Sequence, residues 1–260
     1  MTASQAWDPE QYTRFEAERA QPFFDLSAFV ERDGAMRVAD LGCGTGRLTA
    51  WLHAELGAAE MVGVDASEAM LEMCRAYASS TLRFERGDLA TWAPAEAFDL
   101  VFSNAALQWV EGHEALWPRL AAALRPGGQL AVQMPANEAH PSHTVALALA
   151  QQEPYRGHLE GYVRRFPTLS PARYASLLDE LGFERAHVRV QIYGHRLPDA
   201  RAVVEWVKGS LLTAYRDHLP ANVYARFLED YTGLLLAELG EREPYFYTFP
   251  RILMWGRKAS

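Results

Sequence analysis

The sequence predicts an α/β protein with a doubly wound, mostly parallel sheet of seven strands and a helical cap insertion near the C-terminus. Two observations support this fold. Short apolar strand patterns alternate with helical patterns through the first half of the chain, as a parallel sheet requires. In the second half, two more strand patterns flank a long helical stretch. We therefore expect one domain that spans residues 1–260.

The first half contains the alternating elements. Apolar residues recur every three to four positions in the helical runs, whereas the strand runs are short and mostly apolar. Strands are predicted at residues 36–41, 60–64, 81–85, 98–103 and 128–134. Helices are predicted at residues 45–56, 67–77 and 113–124, and Ser67 is a good N-cap for the second of them.

The second half adds helices and an antiparallel edge. Helices are predicted at residues 142–152 and 171–181, and a long aromatic-rich helical stretch at 199–239 that breaks near Pro220. Strands at 186–193 and 245–257 are expected to pair as an antiparallel edge of the same sheet. The helices between them would then cover the strand ends as a cap.

Composition and charge exclude several classes of partner. The 260 residues carry a net charge of −8, with no block of like charge. Duplex nucleic acid and anionic membranes both attract basic surfaces, so neither is expected as a partner. Two cysteines are too few for a disulfide framework, and no run of 18 apolar residues or basic leader occurs. We expect a cytoplasmic protein; its oligomeric state is not predicted.

A glycine-rich turn follows the first predicted strand. Gly42, Gly44 and Gly46 alternate immediately before a predicted helix. Glycines let a ligand approach the backbone closely beside a helix N-terminus. The spacing differs from the G-x-G-x-x-G of dinucleotide-binding turns, and the lysine of a phosphate-binding loop is missing. Asp40 would repel a pyrophosphate, but it suits a ligand with an ammonium group and a sulfonium centre.

Two further aspartates follow the next two strands. Asp65 ends the second strand, where α/β nucleotide-binding proteins hold a ribose diol. Asp88 follows the third strand and can accept a hydrogen bond from an adenine amino group. Any one of these aspartates could simply cap a turn. Three carboxylates at consecutive strand ends beside a glycine turn instead predict a nucleoside-containing ligand.

These motifs resemble class I S-adenosylmethionine-dependent methyltransferases, as does Leu-Arg-Pro-Gly-Gly at 124–128. A narrower resemblance, to trans-aconitate 2-methyltransferases, extends from the N-terminus to the last strand. It rests on Trp-Asp-Pro at 7–9, Asn-Ala-Ala-Leu-Gln-Trp at 104–109, Gln-Met-Pro at 133–135, Glu-Trp-Val-Lys-Gly at 205–209 and Phe-Pro-Arg at 249–251.

The resemblance implies a Rossmann-like methyltransferase fold. It implies an N-terminal helical segment at 1–30, a cofactor-binding core at 36–135 and a helical cap insertion at 198–243. S-adenosylmethionine would be the cofactor and S-adenosylhomocysteine a product. Its expected contacts are Asp40, Gly42, Gly44, Gly46, Asp65, Met70, Asp88, Leu89 and Asn104. Among them, Asp65 would bind the ribose, Asp88 the adenine amino group, and Met70 the adenine face.

The resemblance also implies that the acceptor is a carboxylate of trans-aconitate or a related small polycarboxylate. A carboxylate is ionised at neutral pH, so no catalytic general base is required. A polyanion on a protein of negative net charge needs a local cluster of cations. Candidates are Arg14, Arg19, Arg164, Arg165, Arg196, Lys208 and Arg251. We favour Arg19, Lys208 and Arg251, with Trp7, Tyr12, Gln108 and Trp109 lining the pocket, although core packing explains Trp109 equally well.

Other interpretations stay open at this point. The acceptor could be an acyl-carrier-linked carboxylate or a neutral metabolite, or the chain could be a non-catalytic nucleotide-ligand binding module. His140 and His143 lie three residues apart, but no further Cys or His cluster accompanies them. We therefore expect these histidines at the surface or packed in the cap, and no metal.

Overall fold

One sheet of seven strands organises the part of the chain that the structure, a computed structural model, describes. That part is residues 16–260, with side chains from residue 20 onward. The strands are β1 (Arg37–Leu41), β2 (Glu60–Asp65), β3 (Leu82–Arg86), β4 (Phe98–Asn104), β5 (Leu124–Pro135), β6 (Phe183–Leu197) and β7 (Tyr245–Lys258). Their order in the sheet is β3-β2-β1-β4-β5-β7-β6. The predicted seven-stranded, doubly wound sheet is confirmed.

The sheet is parallel except at one edge. β1 to β5 pair in parallel, whereas β7 runs antiparallel to both β5 and β6. The last two strands thus form the antiparallel edge that the sequence predicts. The strand order reverses between β1 and β4, so the loops after these strands diverge and leave a crevice at the carboxyl ends. The glycine turn after β1 borders this crevice.

Helices pack on both faces of the sheet. They are α1 (Glu16–Ser27), α2 (Arg47–Leu56), α3 (Glu68–Cys74), α4 (His113–Ala122), α5 (Pro141–Ala150), α6 (Tyr155–His158), α7 (Pro171–Glu180), α8 (Ala202–Lys208), α9 (Thr213–His218) and α10 (Ala221–Leu239). Trp117 of α4 and Tyr174 of α7 belong to the apolar core on one face. Phe23 of α1 and Leu52 of α2 belong to the core on the other face. The two-sided burial explains why β1 and β4 are apolar along most of their length.

A third apolar cluster joins the helices between β6 and β7. Trp206, Tyr215 and Phe227 of α8 to α10 are buried together with Leu149 of α5. The predicted break near Pro220 is confirmed, because α9 ends at His218 and α10 begins at Ala221. A second break, after α8, was not predicted. The boundaries of the core, of the N-terminal segment and of the cap stay predictions.

Some element bounds differ from the sequence prediction for local reasons. α2 begins at Arg47, two residues late, because Gly46 has a φ of 78°, outside the helical region. β5 begins at Leu124 rather than 128, because its pairing with β4 shifts register between Phe98 and Leu100. The Pro-Gly-Gly segment lies in this irregular part of the strand. β6 is almost twice its predicted length, because it pairs with β7 from end to end.

Candidate functional site

The three glycines of the turn differ in what surrounds them. All have positive φ: 81° at Gly42, 55° at Gly44 and 78° at Gly46. A Cβ at Gly42 would overlap the Cβ of Ala106, and one at Gly46 would lie 2.9 Å from the Sγ of Cys74. A Cβ at Gly44 would meet no atom within 4 Å. The outer glycines therefore allow close packing, while the middle one faces open space.

Asp65 ties the end of β2 to this turn. One carboxylate oxygen accepts the backbone N–H of Gly44 at 2.9 Å, and the other accepts that of Ser67 at 2.9 Å. Burial raises the pKa of the Asp65 carboxyl, while backbone hydrogen bonds lower it in part. Each carboxylate oxygen can accept a second hydrogen bond, so the group can still bind a ligand hydroxyl.

Asp40 lies deeper, inside β1. Only 3% of its surface is exposed, and it accepts a hydrogen bond of 2.6 Å from the hydroxyl of Thr49. Burial, with a smaller contribution from the charge of Asp65, raises the pKa of Asp40 to about 7. With this pKa the carboxyl is only about half ionised at neutral pH, and a nearby cation would favour its charged form.

The remaining predicted cofactor residues lie around the same strand ends. Met70 is buried in the first turn of α3, whose N-terminus Ser67 caps as predicted. Asp88 is exposed two residues beyond β3, and its Oδ1 accepts the backbone N–H of Ala90. Leu89 is half-buried and packs on the core beside Gly42. Asn104, the last residue of β4, is half-buried.

A cavity opens beside the loop that follows β4. Its volume is about 120 Å³, roughly ten times the 10–15 Å³ that one water molecule needs. Asn104 and Ala105 line it, and the adjacent Ala106 contacts the glycine turn. Further lining side chains come from the segment after β5, the loop before α7, helix α8 and β7. The cavity thus adjoins the turn at which a cofactor is predicted.

The loop after β4 is strained where it enters the cavity. Ala105 has a φ of 54°, a left-handed conformation that costs roughly 1 kcal/mol for a residue other than glycine. Two hydrogen bonds hold it there: its N–H donates to the carbonyl of Gln133 at 2.9 Å, and its carbonyl accepts the side chain of Gln108 at 2.7 Å. Strain of this sort concentrates at functional sites, and sequence reasoning did not find it.

Several polar atoms around the cavity lack a protein partner. Asn104 Oδ1, Gln108 Oε1 and Arg164 Nε are buried, and none has a hydrogen-bond partner among the residues that the structure describes. A buried polar atom without a partner is costly, so each one calls for a local explanation. Three of them beside one cavity indicate that a polar ligand fits there.

The predicted acceptor residues fall into three groups. Gln108, Trp109 and Arg251 line the cavity. Lys208 does not; its ammonium pairs at 2.5 Å with Glu205, one turn earlier on α8, and its expected role in acceptor binding stays a prediction. Trp7 and Tyr12 lie outside the described residues, and so does the side chain of Arg19.

The lining side chains that were not among the favoured candidates include Glu138, His143, Arg164 and Phe166. His143 was expected at the surface or in the cap. It lines the cavity and contacts Phe166, which packs on the apolar cluster of the cap helices. Burial, together with the neighbouring charges of His140 and Arg164, lowers its pKa to about 4. His140 caps α5, because its Nδ1 accepts the backbone N–H of Ser142. The one sequence signal was the presence of Arg164 among the basic candidates.

Two features concern the described part of the chain as a whole. Over the described part of the chain, no three His, Cys, Asp or Glu side chains gather as metal ligands, and the absence of a metal stays a prediction. No helix between residues 16 and 260 is both long and apolar enough to span a bilayer.

Comparison with solved structures gives the same fold. The YcgJ protein of Bacillus subtilis superposes with a TM-score of 0.61 and 16% identity, over 92% of this chain and 99% of that one. A methyltransferase-like protein of Bacillus halodurans superposes with a TM-score of 0.58 and 17% identity, over 91% and 98% of the two chains. At these identities the similarity establishes the fold alone.

Comparison with curated proteins gives the family. A family model described as a methyltransferase domain matches residues 38–128. The trans-aconitate 2-methyltransferase of Deinococcus radiodurans is 42% identical over 95% of this chain and 96% of its own length. Those of Methylobacterium radiotolerans and Escherichia coli are 40% and 36% identical, each over 98% of this chain and 99% of their own. The chain therefore belongs to the trans-aconitate 2-methyltransferase family and is a methyltransferase.

Proposed function

We propose that the chain transfers a methyl group from S-adenosylmethionine to a carboxylate of trans-aconitate or a closely related small polycarboxylate. One observation carries this proposal: the loop after β4 both packs on the glycine turn and lines a cavity that two arginines, Arg164 and Arg251, also line. A cofactor turn and a cationic acceptor pocket are thus neighbours, and the relatives described above bear the same activity in their names.

The residues at the strand ends fit the cofactor. Open space at Gly44, the raised pKa of Asp40 and the unpartnered Oδ1 of Asn104 suit a ligand that carries cationic and donor groups. In this proposal Asp65 accepts hydrogen bonds from the ribose and Asp88 from the adenine amino group. Met70 and Leu89 pack on the adenine, while the glycine turn and Asp40 hold the methionine end. When bound, S-adenosylmethionine supplies an electrophilic methyl group on a sulfonium centre.

The acceptor side needs cations rather than a base. A carboxylate nucleophile carries no proton to be removed, so the residues of the cavity bind, orient and desolvate it. Arg251 is buried, with its guanidinium 4.6 Å from the ring of Phe249. Gln108 donates one amide N–H to Ala105, which leaves its second N–H for the acceptor. Trp109 supplies an apolar wall. Trp7, Tyr12 and Arg19 are proposed to complete the pocket from the N-terminal segment.

Neutral His143 supports the same assignment. Its pKa of about 4 keeps the imidazole uncharged at neutral pH, so it is a poor general base that adds no charge beside Arg164. The reaction proposed here needs neither proton transfer nor a metal.

We also propose that the enzyme works in the cytoplasm without a nucleic-acid partner, since both cysteines are free and the net charge is −8.

The test is a methyl-transfer assay with methyl-labelled S-adenosylmethionine. Purified protein is incubated with trans-aconitate, with its trimethyl ester as the matched uncharged control, and with a panel of small polycarboxylates and neutral metabolites. We expect label in a base-labile methyl ester of trans-aconitate and none with the trimethyl ester. Transfer to a neutral acceptor but to no polycarboxylate would contradict the proposal, as would cofactor binding without transfer to any acceptor.

A further inference from the structure

Arg164 occupies a distinctive position in the cavity wall. It lies in the loop between α6 and α7, and its side chain is half-buried. The guanidinium carbon lies 4.9 Å from the ring centre of Trp109 and 5.7 Å from that of Phe166. Stacking on aromatic rings restrains a guanidinium group and leaves its N–H groups available at the edge.

Arg164 has no acidic ion-pair partner among residues 20–260. It belongs to none of the ion pairs in this range, and its buried Nε has no hydrogen-bond partner there. By contrast, the half-buried Arg173 binds both Glu114 and Glu180. A partly desolvated cation with a restrained orientation and an unused donor is what an anionic ligand requires.

Arg164 shares the cavity with a neutral histidine, with a second arginine and with the carboxyl group of Glu138. His143 is neutral at physiological pH, so it neither competes for an anion nor repels Arg164. Arg251 reaches the cavity from β7, a different wall, where its Nη1 lies 3.4 Å from Gln133 Oε1. The two arginines are therefore held by separate elements and stack on different aromatic rings.

We propose that Arg164 selects acceptors that carry a further, non-reacting carboxylate, which it binds while Arg251 holds another part of the same molecule. This inference rests on the proposed function and extends it, because it explains why a polycarboxylate would be preferred to a simple acid. The reacting carboxylate would then lie at the end of the cavity formed by Asn104 and Ala105, next to the glycine turn.

The experiment combines removal of the arginine with removal of each acceptor carboxylate. Arg164→Gln and Arg164→Lys are compared with Arg165→Gln, a matched control at an adjacent exposed arginine outside the cavity. The acceptors are trans-aconitate and three unsaturated dicarboxylates that each lack one of its carboxylates: itaconate, mesaconate and glutaconate. Both kcat/KM and acceptor affinity, by calorimetry with S-adenosylhomocysteine present, are measured.

We expect Arg164→Gln to lower affinity and kcat/KM for trans-aconitate by about 10- to 100-fold, the range of a charge-assisted hydrogen bond. One of the three dicarboxylates lacks the carboxylate that Arg164 binds. For that dicarboxylate, Arg164→Gln should change affinity and kcat/KM by less than about threefold. Arg164→Lys should recover part of the loss, and Arg165→Gln should match the wild type. Affinity for S-adenosylhomocysteine alone should not change.

Two results would overturn the inference in distinguishable ways. In the first result, the wild type methylates trans-aconitate, but Arg164→Gln lowers the affinity for all four acceptors by one common factor or for none of them. Arg164 then does not bind a particular carboxylate. The proposed function would then stand without this inference. If the wild type methylates none of the four acceptors, the proposed function fails and the inference fails with it.

Discussion

The carboxylate of Asp65 and the backbone N–H of Gly44 are joined by a hydrogen bond of 2.9 Å between the end of β2 and the turn after β1. This bond fixes the middle glycine of the turn relative to the neighbouring strand. The same carboxylate is proposed to bind the ribose, so one side chain shapes both the turn and the ligand contact. The two roles can be separated by substitution.

Replacing Asp65 by Ala should weaken S-adenosylmethionine binding at least tenfold. The change removes charge-assisted hydrogen bonds worth about 1.5–3 kcal/mol each. Asp65→Asn, which keeps an oxygen that can accept the Gly44 N–H, should preserve more of the thermal stability than of the affinity. Calorimetry measures affinity, and thermal denaturation reports folding. An unchanged affinity in Asp65→Ala would rule out the proposed role.

The turn glycines should respond differently to the same added methyl group. Gly42→Ala should destabilise the fold, because its Cβ would overlap that of Ala106. Gly44→Ala should stay folded, at a cost of roughly 1 kcal/mol for the left-handed backbone, since its Cβ would meet no protein atom within 4 Å. It should nevertheless bind the cofactor at least about tenfold less tightly, because the methyl group enters the ligand space. Normal binding by a folded Gly44→Ala would show that the ligand lies elsewhere.

The sequence locates the residues at the strand ends more readily than the residues that line the cavity, and the reason is physical. The glycine turn and Asp65 follow strands directly, so local patterning places them at one edge of the sheet. Arg164 lies in an irregular loop, and its stacking partner Trp109 is distant in sequence, so only the folded chain brings them together. The ion pair of Lys208 with Glu205 could be predicted from the sequence, because opposite charges three residues apart on a helix are neighbours.

The buried carboxyl of Asp40 should make the stability of the ligand-free protein depend on pH. Its pKa is raised to about 7 in the folded state, above the ordinary value of 3.8. The folded state therefore holds a proton that the unfolded state releases, and the associated stability is lost as the pH rises from about 4 through about 7. Relative to Asp40→Asn, the wild type should lose about 2–3 kcal/mol between about pH 5 and pH 8.

Denaturant unfolding at several pH values tests the role of Asp40. The surface variant Asp179→Asn serves as the control, since Asp179 is exposed on α7 and should leave the pH dependence unchanged. If the free energies of unfolding of Asp40→Asn and wild type run parallel across this pH range, the carboxyl is ionised in both states and the expectation is wrong.

Arg251 and Lys208 should have very different effects on acceptor binding. Arg251→Gln removes a buried guanidinium that lines the cavity and should raise the KM for trans-aconitate by tenfold or more, on the order of one charge-assisted contact. Lys208→Gln breaks a half-exposed ion pair with Glu205 and should change KM by less than about threefold. Equal increases in KM would place the ammonium of Lys208 in the pocket during turnover.

Glu138 should make acceptor binding depend on pH. It carries the one carboxylate among the described side chains that line the cavity, and burial raises its pKa above the ordinary value of 4.5. The protonated form can donate a hydrogen bond to a substrate carboxylate, whereas the ionised form repels it. The KM for trans-aconitate should therefore rise as the pH increases through the pKa of Glu138. Glu138→Gln should flatten this rise, while Glu111→Gln, an exposed control outside the cavity, should retain it. A wild-type KM that falls with increasing pH would contradict this account of Glu138.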